Sequence, residues 1–183
     1  MEIVFVRHSE KKEGIEDPQI TKKGEKQSKR LANKLKKFVF NEFYCSNTKR
    51  SKETARIISK KIKMVPKIED TLNEFTSKTL KKRKSSWDKY EKRRYDKLLE
   101  FLKRISKDPT EKKKILIVAH GVTNRLIMAY FLDLKLNNII RLSQNESAMN
   151  VIYWGNKVKN WRLMSWNDLN HLSDKLKIGR NNY

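Results

Sequence analysis

Two of the chain's three histidines directly follow short apolar runs, and arginines stand at equivalent breaks in the pattern. The stretch "IVFVRHSE" (3–10) delivers Arg7 and His8, "FYCSNTKR" (43–50) delivers Arg50, and "ILIVAHG" (115–121) delivers His120 and Gly121. Guanidinium forks match phosphate oxygens bidentately and stay charged at any working pH. A neutral imidazole, with an ordinary pKa of about 6.5, is a competent nucleophile toward phosphorus. Gly121 offers no side chain to obstruct a close approach. One histidine at a strand end ordinarily serves packing. Two, with two arginines at matching edges, read as an anion clamp for a phosphoryl group.

Elements that could bring these residues together follow from the hydrophobic pattern. Strand-length bursts occur at Ile3–Val6, Glu42–Cys45, Lys67–Glu69, Ile115–Ala119 and Met149–Trp154, with Trp161–Trp166 as a late candidate. Helical periodicity fills the gaps. Thr21 is expected to cap a helix carrying Leu31, Leu35 and Phe38 on one face, and Ser46 or Asn47 a second with Ala55, Ile58 and Ile62. A third, from about residue 85 to 106, sets Trp87, Tyr90, Leu98, Leu102 and Ile105 along a stripe, and a fourth runs from Gly121 to about Leu132. Strands alternating with helices predict an α/β layered fold, in which ligands sit beyond the carboxyl ends of the strands. Backbone N–H groups at the starts of the second and fourth helices would then point at the same anion.

The 183 residues suit one domain, taken as 1–183, with an insert or lid at approximately 75–113. No apolar run approaches bilayer length and the start lacks a signal-peptide layout, so a cytoplasmic location without membrane partners is expected. Cys45 is the sole cysteine, which excludes intramolecular disulfides and multi-cysteine metal sites. Forty-four Lys and Arg against 21 Asp and Glu give a formal charge of +23. Such a field attracts polyanions, although lysine scattered through every segment beside abundant Asn and Ile is equally what an A/T-rich genome produces. Residues 78–97 hold ten Lys or Arg against three acids. That segment reads either as a lid favouring polyanionic substrates or as a helix with one apolar stripe and a solvated basic face. Trp87, Tyr90 and Tyr95 among these bases would permit nucleic-acid stacking, but stripe spacing assigns Trp87 and Tyr90 to packing first.

The motifs themselves resemble a known family. "VRHSE" resembles the "RHGE" signature of the histidine phosphatase superfamily (phosphoglycerate mutase-like, branch 1), "ITKKGEKQSKRLA" its "LTxxGxxQA" helix and "YCSNTKRSKETARII" its "SSxLxRAxxTA" segment. "LNEF" is similar to its acid motif and "IVAHGVTNR" to its second-histidine motif, so that five matches run in order over about residues 3–132. A weaker echo is "WNDLNHL" (166–172), where His171 reads as a packing or surface residue.

The resemblance implies a three-layer αβα sandwich with a mostly parallel central sheet and a small helical basic insert. It implies a phosphomonoesterase of the histidine acid phosphatase type, acting on a small phosphorylated substrate through a phosphohistidine, with no cofactor and no metal. His8 would be the nucleophile; Arg7, Arg50 and His120, with Gly121, would hold the transferring group. Glu74 would act as acid then base, which requires a raised pKa and so a partly desolvated carboxyl. Ser9 stands where the family has glycine, and Thr48 where it has leucine, a change expected to affect packing. The mutase substrate signatures after Glu10 and after Glu74 are missing, which favours hydrolysis. Phosphoglycerate mutase-type transfer and nucleic-acid binding on a phosphatase-like fold remain the alternatives, nucleic acid being the less favoured partner. Substrate identity and oligomeric state are not encoded in these motifs.

Overall fold

The apolar run that opens the chain becomes an interior strand because helices cover both of its faces. The computed structural model describes residues 1–76, 86–110 and 112–177. Along them run β1 (Glu2–Arg7), α1 (Lys22–Leu35), β2 (Glu42–Cys45), α2 (Lys49–Ile62), β3 (Lys67–Ile68), α3 (Lys89–Ile105) and β4 (Lys114–Ala119). Then follow α4 (Gly121–Leu132), the short α5 (Leu136–Ile139), β5 (Met149–Gly155) and β6 (Asn160–Asp168). The sheet order is β3-β2-β4-β1-β5-β6. β3, β2, β4 and β1 are parallel, while β5 runs antiparallel to β1 and to β6.

Side chains alternate between the two faces of this sheet. Ile3, Phe5, Ile115 and Ile117 pack with Leu98, Phe101 and Leu102 of α3 and Leu126 and Phe131 of α4. Val4, Val6, Leu116 and Val118 pack with Leu31 and Leu35 of α1 and Ala55 and Ile58 of α2. Two separate cores, one per face, make the αβα sandwich and account for strands that are apolar without interruption.

Three details differ from the sequence expectation. α2 starts at Lys49 with Thr48 as its N-cap, whose own side chain makes no capping bond, while Ser46 Oγ accepts from the Thr48 N–H at 3.4 Å and donates to Asn73. α3 begins at Lys89, with Asp88 accepting from the Glu91 N–H as its cap. Tyr90 is therefore off the buried stripe, 70% exposed, and Tyr95 takes the core position against Trp87 at 5.2 Å between ring centroids. Phe38 lies beyond the end of α1, in a hydrogen-bonded turn, and is only partly buried. Residues 77–85, which include five of the ten basic residues of the 78–97 segment, lie outside the described residues.

α1 is fastened both to the loop after β1 and to the 3-10 turn at Asp174–Leu176. The Glu10 N–H donates to Gln27 Oε1 at 2.8 Å, and Gln27 Nε2 donates to the Leu176 carbonyl at 2.8 Å. Gly24 lies so near the same loop that a Cβ there would be 2.2 Å from the Glu10 carbonyl oxygen. Gly24→Ala is expected to destabilise the protein by about 1–3 kcal/mol, the usual cost of overpacking. At about 2–4 °C per kcal/mol for a chain of this size, thermal unfolding reads the change directly. An unchanged Tm would mean that the loop carrying Glu10 yields without cost.

Candidate active site

The parallel register brings the strand ends into line. Arg7 at the end of β1 is paired with Ala119 at the end of β4, and Cys45 at the end of β2 with Val118. The ladder continues one residue past the strands: the His8 N–H donates to the Ala119 carbonyl at 2.9 Å and the Ser46 N–H to the Val118 carbonyl at 3.0 Å. His8, Ser46 and His120 thus sit side by side at the carboxyl edge of the sheet. The His8 and His120 rings meet edge to face, 5.1 Å between centroids. Both residues are buried.

The hydrogen-bond network fixes the tautomer of each ring. His8 Nδ1 lies 2.8 Å from the Ser9 carbonyl, which can only accept, so Nδ1 carries the proton and Nε2 the lone pair. Arg50 Nε–H donates to that Nε2 at 3.2 Å. On the second ring, Asn73 Oδ1 accepts from the Asn47 N–H at 3.0 Å and from the Ser46 hydroxyl at 2.8 Å. With its single proton so used, Ser46 Oγ must accept from His120 Nε2–H, 2.7 Å away. Neutral His120 therefore turns a bare Nδ1 toward Glu74. That atom is buried, has no hydrogen-bond partner, and is 3.8 Å from Glu74 Oε2.

Carboxylates occupy the places where helix N-termini were expected to meet the anion. Glu74 Oε1 accepts from the Val122 N–H in the first turn of α4 at 3.1 Å. Asp17 Oδ1 accepts from the Lys49 N–H at the start of α2, 2.9 Å away, and lies 3.7 Å from Arg50 Nη1. Arg7 is held by the Gln144 carbonyl at 2.5 Å and by Glu146 at 3.7 Å. Gly121 lies against the Arg7 guanidinium, where an added Cβ would make ordinary contact at 3.6 Å.

Burial governs the proton equilibria. Desolvation, then His120 and Arg7, hold the His8 pKa well below the ordinary imidazole value of 6.5. Desolvation, then Arg50 and Arg7, do the same to His120. Glu74 is raised above the usual carboxyl range by desolvation, against the opposing pull of Arg7, the helix N–H groups and Arg50. Its side chain still keeps 30% of its surface open. His8, Glu74 and His120 each offer a ligand atom within 4.8 Å of the others, a spacing a metal ion could bridge. Two guanidiniums beside them make the field hostile to a cation and favourable to an anion.

Sequence reasoning brought His8, His120, Arg7, Arg50, Gly121 and Glu74 to this pocket, and the structure gathers all six. It missed Asp17, Asn73 and Glu146, whose only signal is polarity within loops, and Arg94. Arg94 donates to the Asn73 carbonyl at 2.9 Å and stacks over Phe75 at 4.3 Å. Thr48 borders the site, with Oγ1 3.4 Å from His120 Nε2, where only an effect on packing was expected. The third histidine, His171, stands apart near Lys34 and Asp168, its pKa pushed down to about 4 by burial.

The described helices include none long and apolar enough to cross a membrane. No curated protein matches the sequence. Among solved structures, the phosphoserine phosphatase of Entamoeba histolytica in complex with 3-phosphoglyceric acid is similar in fold. It is 19% identical, with a TM-score of 0.72, over 94% of this chain and 99% of that one. A mycobacterial glucosyl-3-phosphoglycerate phosphatase in complex with VO3 is 17% identical, with a TM-score of 0.72 over 91% and 98%. "Mycobacterial hydrolase 2" is 17% identical, with a TM-score of 0.71 over 96% and 94%. These likenesses establish the fold. The family model "Histidine phosphatase superfamily (branch 1)" matches residues 3–98 and 91–169, nearly the whole length, and the chain belongs to that superfamily.

Proposed function

We propose that the protein is a phosphomonoesterase that passes a phosphoryl group through His8. The observation that carries this reading is the His8 ring, held neutral by burial and oriented by the Ser9 carbonyl, with its Nε2 lone pair facing Arg50. An incoming phosphate ester takes Arg50 from that lone pair and is gripped by Arg7 and Arg50. Nε2 attacks phosphorus as the ester P–O bond breaks, and the protonated Glu74 carboxyl delivers its proton to the departing alkoxide. Glu74, now a carboxylate, takes a proton from the water that attacks the phosphohistidine. The P–N bond breaks, inorganic phosphate leaves and the Nε2 lone pair is restored.

His120 has a part that its tautomer defines. A bare Nδ1 would repel a phosphate oxygen, so it must be protonated to donate to one. The dianion beside it raises its proton affinity, so His120 takes up a proton from solvent as the ester binds, and Glu74, 3.8 Å away, keeps its own for the leaving group. The transferring group therefore draws a proton into the pocket as it binds. The absence of the mutase signatures after Glu10 and after Glu74 supports water as the final acceptor.

Two measurements test this reading. With p-nitrophenyl phosphate in excess EDTA, the wild type is expected to turn over and His8→Ala to be silent. Rapid acid-free quenching should trap an alkali-stable, acid-labile phosphoenzyme only in the wild type. Equal rates for both proteins would end the proposal. Isomerised phosphate ester in place of inorganic phosphate would assign mutase chemistry instead.

The pH dependence carries a sign. His8 must be neutral, and its pKa lies below 6.5, so the acid limb falls well under pH 6.5. Glu74 must be protonated, and its raised pKa sets the alkaline limb above the usual carboxyl range. kcat/KM should thus peak on the acid side of neutrality. Glu74→Gln should cost about 10²–10⁴-fold with an alkyl phosphate. It should cost far less with p-nitrophenyl phosphate, whose leaving group needs little protonation. The same loss in kcat/KM, which does not include hydrolysis of the phosphohistidine, with both substrates would remove Glu74 from the acid role.

A further inference from the structure

Beside the phosphoryl clamp lies a cavity of 540 Å³ whose lining includes Arg50 and Glu74 together with Tyr90, Arg94 and Lys97. That volume is in the range of small-molecule pockets and exceeds the needs of one phosphoryl group. Tyr90, Arg94 and Lys97 are spaced four and three residues apart, which aligns them along one side of α3. They are opposite in character to the buried edge of the same helix, Tyr95, Leu98 and Leu102.

The described carboxylates do not neutralise the charges on this wall. Arg94 is held in place by neutral groups: its Nη2 donates to the Asn73 carbonyl at 2.9 Å and the Glu74 carbonyl at 3.2 Å, and its plane rests on Phe75. Among the described residues no carboxylate pairs with Arg94 or Lys97, whereas Arg7, Arg50 and Arg104 each have one. The acids on the cavity are engaged elsewhere. Asp17 serves the Lys49 N–H and Arg50, and Asp70 accepts from Asn47 Nδ2 at 2.9 Å. A rigid guanidinium with a lysine one turn on, facing space continuous with the reacting centre, is a receptor for negative charge.

We infer that Arg94 and Lys97 select phosphate monoesters whose leaving group carries a second anionic group, with Tyr90 as the ring wall beside it. This deepens the phosphatase reading and rests on it. The shared chemistry is an oxyanion, carboxylate or phosphate, at the far end of the leaving group, and a small phosphorylated acid or bisphosphate meets it. An uncharged alcohol of the same size leaves both cations facing water.

Matched substrate pairs test the inference. Glycerol 3-phosphate against 3-phosphoglycerate differs in a carboxylate, and fructose 6-phosphate against fructose 1,6-bisphosphate in a second phosphate. In the wild type, kcat/KM should favour the anionic member of at least one pair by about tenfold or more, falling as salt is raised. The pair showing the larger ratio identifies the anion. Lys97→Glu, at an exposed position, should bring that ratio close to one, as should Arg94→Met, which keeps bulk over Phe75. Ratios near one in the wild type, or ratios untouched by Lys97→Glu, overturn the inference.

Binding to His8→Ala, read by titration calorimetry with the same pairs, separates this claim from the catalytic one. If the wild type turns nothing over but the anionic member still binds His8→Ala more tightly, the cavity assignment stands and the phosphatase reading falls. Turnover of p-nitrophenyl phosphate with equal affinity within each pair does the reverse.

Discussion

The site depends on keeping two imidazoles uncharged beside two guanidiniums. The rings of His8 and His120 are 5.1 Å apart. At that distance two unit charges repel by about 3 kcal/mol with an effective dielectric constant of 20. Arg7 and Arg50 would add to the repulsion, and burial penalises each charge again. Protonation therefore loses at both rings, and the pocket is positive through its arginines alone. As the proposed nucleophile, His8 then needs no general base. In that proposal proton traffic falls to Glu74, a group whose burial has shifted it the other way.

The same economy of charge explains the helix N-termini. A helix start is attractive to any anion, and in this chain α2 and α4 spend theirs on Asp17 and Glu74. The result is positional: Glu74 is fixed by a backbone N–H beside His120, and Asp17 steadies the arginine that touches His8. In the proposed reaction, holding the phosphoryl group rests on side chains whose own supports lie outside it, the Gln144 carbonyl and Glu146 for Arg7 and Asp17 for Arg50. The formal charge of +23 has little bearing on this balance, because each guanidinium of the clamp has its own acid.

What the sequence disclosed was whatever adjacency and register decide. A residue following a buried parallel strand must emerge at the carboxyl edge, so His8, Arg50 and His120 could be placed together from apolar runs alone. Glu74 follows a 3-10 turn at Asp70–Leu72 and needed the family motif. Other contributors are joined only through space. Asp17 sits in a loop with a left-handed backbone, φ 44°, for which no periodicity exists. The swap of Tyr90 for Tyr95 came from phase: a stripe drawn from residue 85 put Tyr90 inward, whereas a helix capped by Asp88 turns Tyr90 and Arg94 to the cavity.

Ser9 shows how a departure from a motif can be absorbed. Its carbonyl sets the His8 tautomer, and its N–H donates to Thr54 Oγ1 at 3.1 Å. Its hydroxyl lies 2.6 Å from Ser28 Oγ and 2.5 Å from Ser147 Oγ. Since Ser28 donates its own proton to the Gly24 carbonyl, the chain has one consistent direction, from Ser147 through Ser9 to Ser28 and on to that carbonyl. Ser147 adopts a left-handed conformation, φ 59°, while its N–H donates to the His8 carbonyl at 3.1 Å. Every polar atom of the residue after His8 is thereby tied down. A side chain in place of the family's glycine is tolerable here because two other serines, 19 and 138 residues away, satisfy its hydroxyl. Glycine would leave those serines to each other or to water, so the three hydroxyls act as one unit that holds His8 in place.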